Sequence, residues 1–160
     1  MKYHGISWAC IVLILVGERI VWAQNSKVQD LLNQAGLQYT VDKDGDYKLI
    51  FRLRSGRTQV LFINSTVEVM AGESIIEIWS PSYLQPEIDE EMLKRLLLDS
   101  GGRKIGAWEV ASSPRGKVAA FKVKLPLTSL TPSFLRAVCE GVVSTADEME
   151  NKLSPNSDDF

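Results

Sequence analysis

Between Leu37 and Ser80, three glycine-centred breaks (Asp44-Gly45, Ser55-Gly56-Arg57 and Ala71-Gly72-Glu73) cut the chain into short strand-patterned runs. Connections this short can only return the chain beside itself, because a parallel crossover needs a dozen or more residues. The runs must therefore be antiparallel neighbours. Leu37 to Val41 reads as the first. Tyr47 to Leu53 alternates as the second, with Tyr47, Leu49, Phe51 and Leu53 on one face and Lys48, Arg52 and Arg54 among the other. Gln59 to Asn64 is almost continuously apolar, as a central strand would be. Val67 to Met70 extends it or starts another, and Ser74 to Ser80 forms the next, which Pro81 is expected to end.

The first break places Asp42, Asp44 and Asp46 at alternate positions, a spacing that invites comparison with a calcium loop. An EF-hand loop starting at Asp42 would need glycine at its sixth place and glutamate at its twelfth, where this chain has Tyr47 and Leu53. Asp-Gly, by contrast, is favoured in two-residue hairpin turns, whose backbone needs positive φ. The aspartates are expected to turn the chain, and no metal is assigned to them.

Helices bracket the strand block. Ser26 can cap one that runs to about Ala35, with Val28, Leu31, Leu32 and Ala35 at helical spacing and Gly36 at the stop. Pro86 is placed as the first residue of a second. Its N-terminal turns carry Glu87, Asp89, Glu90 and Glu91 and its later turns Lys94 and Arg95, in accord with the helix dipole. Ile105 to Val110 and Lys117 to Leu125 read as a hairpin, and Thr131-Pro132 opens a long last helix with Phe134, Leu135, Val138, Val142, Ala146, Met149 and Leu153 in register. The order α-β-β-β(-β)-α-β-β-α gives an α+β fold, an antiparallel sheet flanked by helices. One domain over residues 24–153 is expected, followed by a flexible polar tail over 154–160.

Residues 1–23 have the three-part pattern of a signal peptide: Lys2, the uncharged run Ile6 to Gly17, and Val21-Trp22-Ala23 ahead of Gln24. Twelve residues of helix rise about 18 Å, short of a bilayer core of about 30 Å. Cleavage near Ala23 and a periplasmic or secreted location follow as expectations, with a membrane anchor as the alternative if the leader stays on. The whole chain has 18 basic and 20 acidic residues; loss of Lys2, Arg19 and Glu18 leaves 16 and 19, a charge of −3. Basic residues scattered through an acidic chain argue against a nucleic-acid partner.

The leader also holds His4 and Cys10, so the mature chain has no histidine and a single cysteine, Cys139. That excludes an intrachain disulfide, a Cys/His metal site and every histidine-based triad or dyad. "SGGRKIG" at 100–106 lacks the spacing of a phosphate loop, and no cofactor is expected. Carboxylate chemistry stays open, as a hydrolase or lyase using Asp89 with Glu90 or Asp147 with Glu150, although neighbouring helical residues do not converge on one point.

Gly36-Leu37-x-Tyr39, Asp44-Gly45-Asp46-Tyr47, Gly56-Arg57-x-Gln59, Trp79-Ser80-Pro81, Leu96-Leu97 and Ala146-Asp147-x-x-Glu150 together resemble the YbjN-like group, whose members carry the label sensory transduction regulator. The resemblance spans roughly residues 26 to 153 and implies the fold of type III secretion chaperones. Two departures stand out: the leader, and Asp99-Ser100 where an asparagine is expected. Residue by residue, capping and turn chemistry account for the same positions, with Asp147 and Glu150 read as a solvated helix face. The expected function is an exported, non-enzymatic module that binds a protein or peptide, with a cytoplasmic or membrane-tethered regulator as the alternative. Trp79 and Trp108 are the candidate partner-binding residues, each weighed against a place in the core. A homodimer through the apolar stripe of the last helix is a further expectation.

Overall fold

The computed structural model describes residues 26–155 and 158–160, so the leader lies outside the described residues. In chain order the elements are α1 (Ser26–Gln34), β1 (Thr40–Val41), β2 (Tyr47–Arg52), β3 (Thr58–Ile63), β4 (Glu68–Met70), β5 (Glu73–Gln85), α2 (Glu90–Gly101), β6 (Ala107–Ser113), β7 (Gly116–Pro126) and α3 (Pro132–Leu153), with a 3-10 turn at Leu127–Ser129. The strands form one antiparallel sheet in the order β1-β2-β3-β5-β7-β6, and β4 pairs with β5 beside β3. This is the expected α+β architecture. No helix among the described residues is long and apolar enough to cross a membrane.

Local chemistry explains most of the boundaries. Beyond α1, Leu37 N–H donates to the Leu32 carbonyl and Gly36 N–H to that of Asn33, a paired closure that ends the helix. The first hairpin closes with a bond from Asp42 N–H to the Asp46 carbonyl (2.9 Å), leaving a three-residue loop with Gly45 at φ +88°, one residue longer than the expected turn. Asp42 Oδ1 accepts the N–H groups of Asp44 (2.9 Å) and Asp46 (3.0 Å), while Asp46 Oδ1 accepts from Ser65 N–H (2.7 Å). These carboxylates therefore serve the backbone.

Pro81 does not end β5, which runs on to Gln85 with a register shift between Pro81 and Tyr83. The Glu77 carbonyl bonds Asn64 on the β3 side, so the period of two also turns the backbone of Pro81 toward β3. There β3 has parted from β5, which it meets only at Phe62–Trp79 and Ile63–Ile78. The missing proline N–H thus breaks no ladder bond. Side chains fill the gap: Gln59 Nε2 donates to Ser80 Oγ (2.9 Å) and the Pro81 carbonyl (2.6 Å), and Ser80 Oγ to the Val60 carbonyl (2.5 Å).

Pro86 does not open α2 either. Asp89 is the N-cap, its Oδ1 accepting from Met92 N–H at 2.8 Å, because its carboxylate satisfies an orphan donor that proline at position 86 could not. Thr131 caps α3 in the same way, with Pro132 at the first helical place.

The three helices of the described residues lie on one face. The core joins Val28, Leu31 and Leu32 of α1 and Leu135, Val138, Val142 and Val143 of α3 to Tyr47, Leu49, Leu61, Ile63, Ile76, Ile78, Phe121 and Val123 of the sheet. Each such side chain taken fully from water contributes about 1.5–3 kcal/mol. A smaller cluster seats Leu96 of α2 against Ala119 and Met149. Among the described residues, no helix lies on the other face of the sheet.

The helix-free sheet face

Strand parity builds this face. With Tyr47, Leu49, Leu61, Ile63, Ile78, Phe121 and Val123 turned to the helices, their neighbours Lys48, Ile50, Val60, Phe62, Trp79, Lys122 and Lys124 must point the other way. Register sets them in rows. Lys48 pairs with Phe62, Phe62 with Trp79, Trp79 with Lys122, and Lys122 with Ala107. Phe62 and Trp79 stack with ring centroids 4.6 Å apart and planes at 21°, so two aromatic faces lie in mid-sheet between two lysines. Ile50, 69% exposed, stands beside them on β2.

Trp79 is held by the polar groups next to it. Its Nε1–H donates to Asn64 Oδ1 (2.9 Å), and Asn64 Nδ2 donates to Glu77 Oε1 (2.8 Å). Glu77 pairs with Lys122 (3.1 Å) and Lys124 (3.3 Å), and Lys122 pairs with Glu109 (3.0 Å). The amide of Asn64 is thereby engaged at both ends, although Asn64-Ser65-Thr66 is formally a glycosylation sequon. Beyond the tryptophan the side chains shrink to Ala111, Val118 and Ala120, leaving a trough of about 330 Å³ against the β6–β7 hairpin. Its floor is apolar and its rim carries Glu77, Glu109 and Lys122, a surface suited to a segment that lays an apolar side chain beside the indole.

Trp108 has a different place. It pairs with Phe121, faces the helices, meets that ring edge-on at 5.4 Å, and donates Nε1–H to Asp99 Oδ2 at 2.7 Å. Asp99 also receives both Nε and Nη2 of Arg103 at 2.8 Å, which holds its carboxyl below the ordinary range, with the Trp108 bond acting in the same direction. Both residues of the pair that departs from the resembled pattern thus tie α2 to β6, since Ser100 Oγ accepts from Trp108 N–H at 3.0 Å.

Asp147 and Glu150 are not on a solvated helix face. Arg57 Nε meets Asp147 Oδ1 at 2.6 Å and Arg57 Nη2 meets Glu150 Oε2 at 3.1 Å, and the Glu150 side chain is 1% exposed. Burial pushes the Glu150 carboxyl above its ordinary range, against the pull of the Asp159 N–H and the Arg57 charge. Asp159 N–H reaches Glu150 Oε1 at 2.6 Å, and the Asp158 carboxylate accepts from Thr58 N–H (3.1 Å) and Thr58 Oγ1 (3.2 Å). Arg57 and Asp147 lie 90 positions apart, and nothing local in the sequence joins them.

No family model matches the sequence, and no match is found among curated proteins. Among solved structures the chain is similar to YbjN from E. coli, with a TM-score of 0.54 and 10% identity over 84% of this chain and 96% of that one. It is also similar to a chain of the HopA1-SchA chaperone-effector complex, with a TM-score of 0.50 and 10% identity over 79% of this chain and 91% of that one. The chain therefore shares the YbjN-like and chaperone-like fold that the sequence resemblance implied.

Proposed function

We propose that the protein is an exported, non-enzymatic module that binds a protein or peptide segment on its helix-free sheet face, with Trp79 as the anchor. The observation that carries this reading is the Phe62–Trp79 stack, set in mid-sheet beside an apolar trough and covered by no element among the described residues. A chain of a chaperone-effector complex has the same fold, which supports a protein as the partner class. Trp108, committed to Phe121 and Asp99, has less to offer a partner. The carboxylate hydrolase or lyase has little to stand on, because Asp89 caps α2 and Asp147 and Glu150 are tied to Arg57. A turnover abolished by Asp147→Asn would revive it.

A photo-crosslinking side chain placed at Ile50 or Phe62 in the natively expressed protein tests the sheet face. Discrete adducts from these positions, lost on Trp79→Ala and absent when the probe replaces Glu140, exposed on α3 across the sheet, are expected. Equal labelling from Glu140 would refute the assignment. Intact-mass measurement of the same material tests export, with a start near Gln24 expected. A full-length soluble chain would favour the cytoplasmic regulator, and a full-length chain in membranes a tethered form.

A second reading concerns self-association. The inward stripe of α3, where a dimer contact was expected, is spent on the core: Leu135, Val138, Val142, Val143, Ala146 and Met149 are each at most 2% exposed. The outer ridge of α2 is open instead, with Leu93 45%, Leu97 74% and Leu98 69% exposed. We place a homodimer contact there, checked by light scattering. A mass that stays monomeric at all concentrations would exclude it.

A further inference from the structure

The two halves of the helix-free face differ in charge. On the β7 side every lysine is compensated, Lys122 by Glu77 and Glu109 and Lys124 by Glu68 and Glu77. On the β2 side Lys48, Arg52 and Arg54 enter no ion pair among the described residues. Lys48 and Arg52 share a face with Ile50 between them, and Arg54 lies in the turn just beyond. Cross-strand, these residues pair with Phe62, Val60 and Thr58, giving two parallel lines, Lys48-Ile50-Arg52 and Phe62-Val60-Thr58. Uncompensated cations thus flank apolar side chains at the two-residue spacing of an extended chain.

A carboxylate already sits at one end of this strip. Asp158 of the chain's own tail accepts from both the N–H and the hydroxyl of Thr58, the cross-strand neighbour of Arg52. The same carboxylate lies 3.8 Å from Arg57 Nη2, whose guanidinium also meets Asp147 and Glu150. The end of the strip therefore holds an acidic residue between the Thr58 donors and a cation, and the cations of Lys48 and Arg52, which meet no carboxylate among the described residues, remain for others.

We propose that the β2–β3 half of the face docks an extended acidic segment of a partner protein, in which carboxylates meeting Lys48 and Arg52 alternate with apolar side chains laid over Ile50, Val60 and Phe62. The assignment rests on the sheet-face reading and adds the charge of the partner and the half of the sheet that reads it. Opposite charge at such a rim raises the rate of encounter and fixes register, while the apolar line supplies the contact area. A nucleic acid offers the same negative charge without the alternating apolar groups, and so serves as the control.

The test uses the mature chain with three fluorescent probes: a peptide alternating Asp with Leu, its Lys/Leu counterpart, and a single-stranded DNA oligonucleotide with as many negative charges as the first. Saturable binding of the Asp/Leu peptide alone is expected, weakened by salt and by about tenfold or more in the Lys48→Glu, Arg52→Glu double variant. Circular dichroism of that variant should be unchanged, since Arg52 is exposed and neither residue enters the core. Equal affinity of the double variant for the acidic peptide would overturn the proposal, as would equal binding of the oligonucleotide. Loss of peptide binding in Trp79→Ala without loss in the double variant would also overturn it, while leaving the sheet-face reading in place.

Discussion

Asp99 and Glu150 are two partly or wholly buried carboxylates whose environments act in opposite directions. Asp99 takes three charge-assisted or indole hydrogen bonds, from Arg103 Nε, Arg103 Nη2 and Trp108 Nε1, so folding favours its ionised form. Stability from a carboxyl lowered in this way is present in full above its ordinary pKa and is lost as pH falls through the folded value. Asp99→Asn should therefore cost about 2 kcal/mol near neutral pH and progressively less in acid. Glu150 is raised, chiefly by burial, with Arg57 and the Asp159 N–H opposing and Asp158 and Asp159 adding to the shift. The sign reverses: its contribution is complete below the ordinary glutamate pKa and is lost as pH rises through the folded value. Glu150→Gln should gain on the native chain as pH rises through that window, because glutamine carries no charge to desolvate. Urea unfolding of both variants at several pH values checks the pair, and parallel pH trends would contradict it.

Among the elements, α2 has neighbouring leucines with contrasting surroundings. Leu96 is 2% exposed in the cluster with Ala119 and Met149, whereas Leu97 is 74% exposed. Leu96→Ala should cost about 2–5 kcal/mol, and Leu97→Ala less than about 0.5 kcal/mol in the monomer, both read from urea midpoints. Gly106, in the link from α2 to β6, has φ +80°, and a Cβ there would lie 2.6 Å from the Lys122 carbonyl oxygen and 2.7 Å from Val123 Cγ2. Gly106→Ala should destabilise by about 1–3 kcal/mol, a loss visible in the same measurement. Elements whose signals are local were legible in the sequence: the Thr131-Pro132 start of α3, the Gly36 stop and the antiparallel run of strands. The passage of β5 through Pro81 was not, because it depends on β3 parting from β5 at that residue. The tryptophans show the same limit at the candidate site. Trp79 and Trp108 both sit in strand-patterned runs, and only the partners Phe62 and Phe121 decide that the first faces outward and the second inward. The role of Arg57 was hidden for the same reason, since its carboxylates come from the far end of the chain.

At the scale of the whole molecule, the distribution of the core predicts which parts can open alone. The inward side of α3 packs on α1 and on strands β3, β5 and β7, so α3 cannot leave without uncovering most of the buried apolar surface. α2 packs chiefly on β6 and the small cluster around Met149, and its amides should exchange with solvent at lower free-energy cost than those of β5 or α3. Cys139 provides an independent reporter. It lies on the inward side of α3 with no exposed surface, and burial pushes its thiol up to about 12. Only the thiolate attacks an alkylating agent, so in the folded chain the group is both screened and scarcely ionised near neutral pH. Reaction must then pass through a state in which α3 has left the sheet. Iodoacetamide labelling across a urea series should accordingly return an opening free energy equal to that of global unfolding, while hydrogen exchange returns smaller values for α2. A labelling free energy well below the global value would show instead that α3 separates from the sheet as a unit of its own.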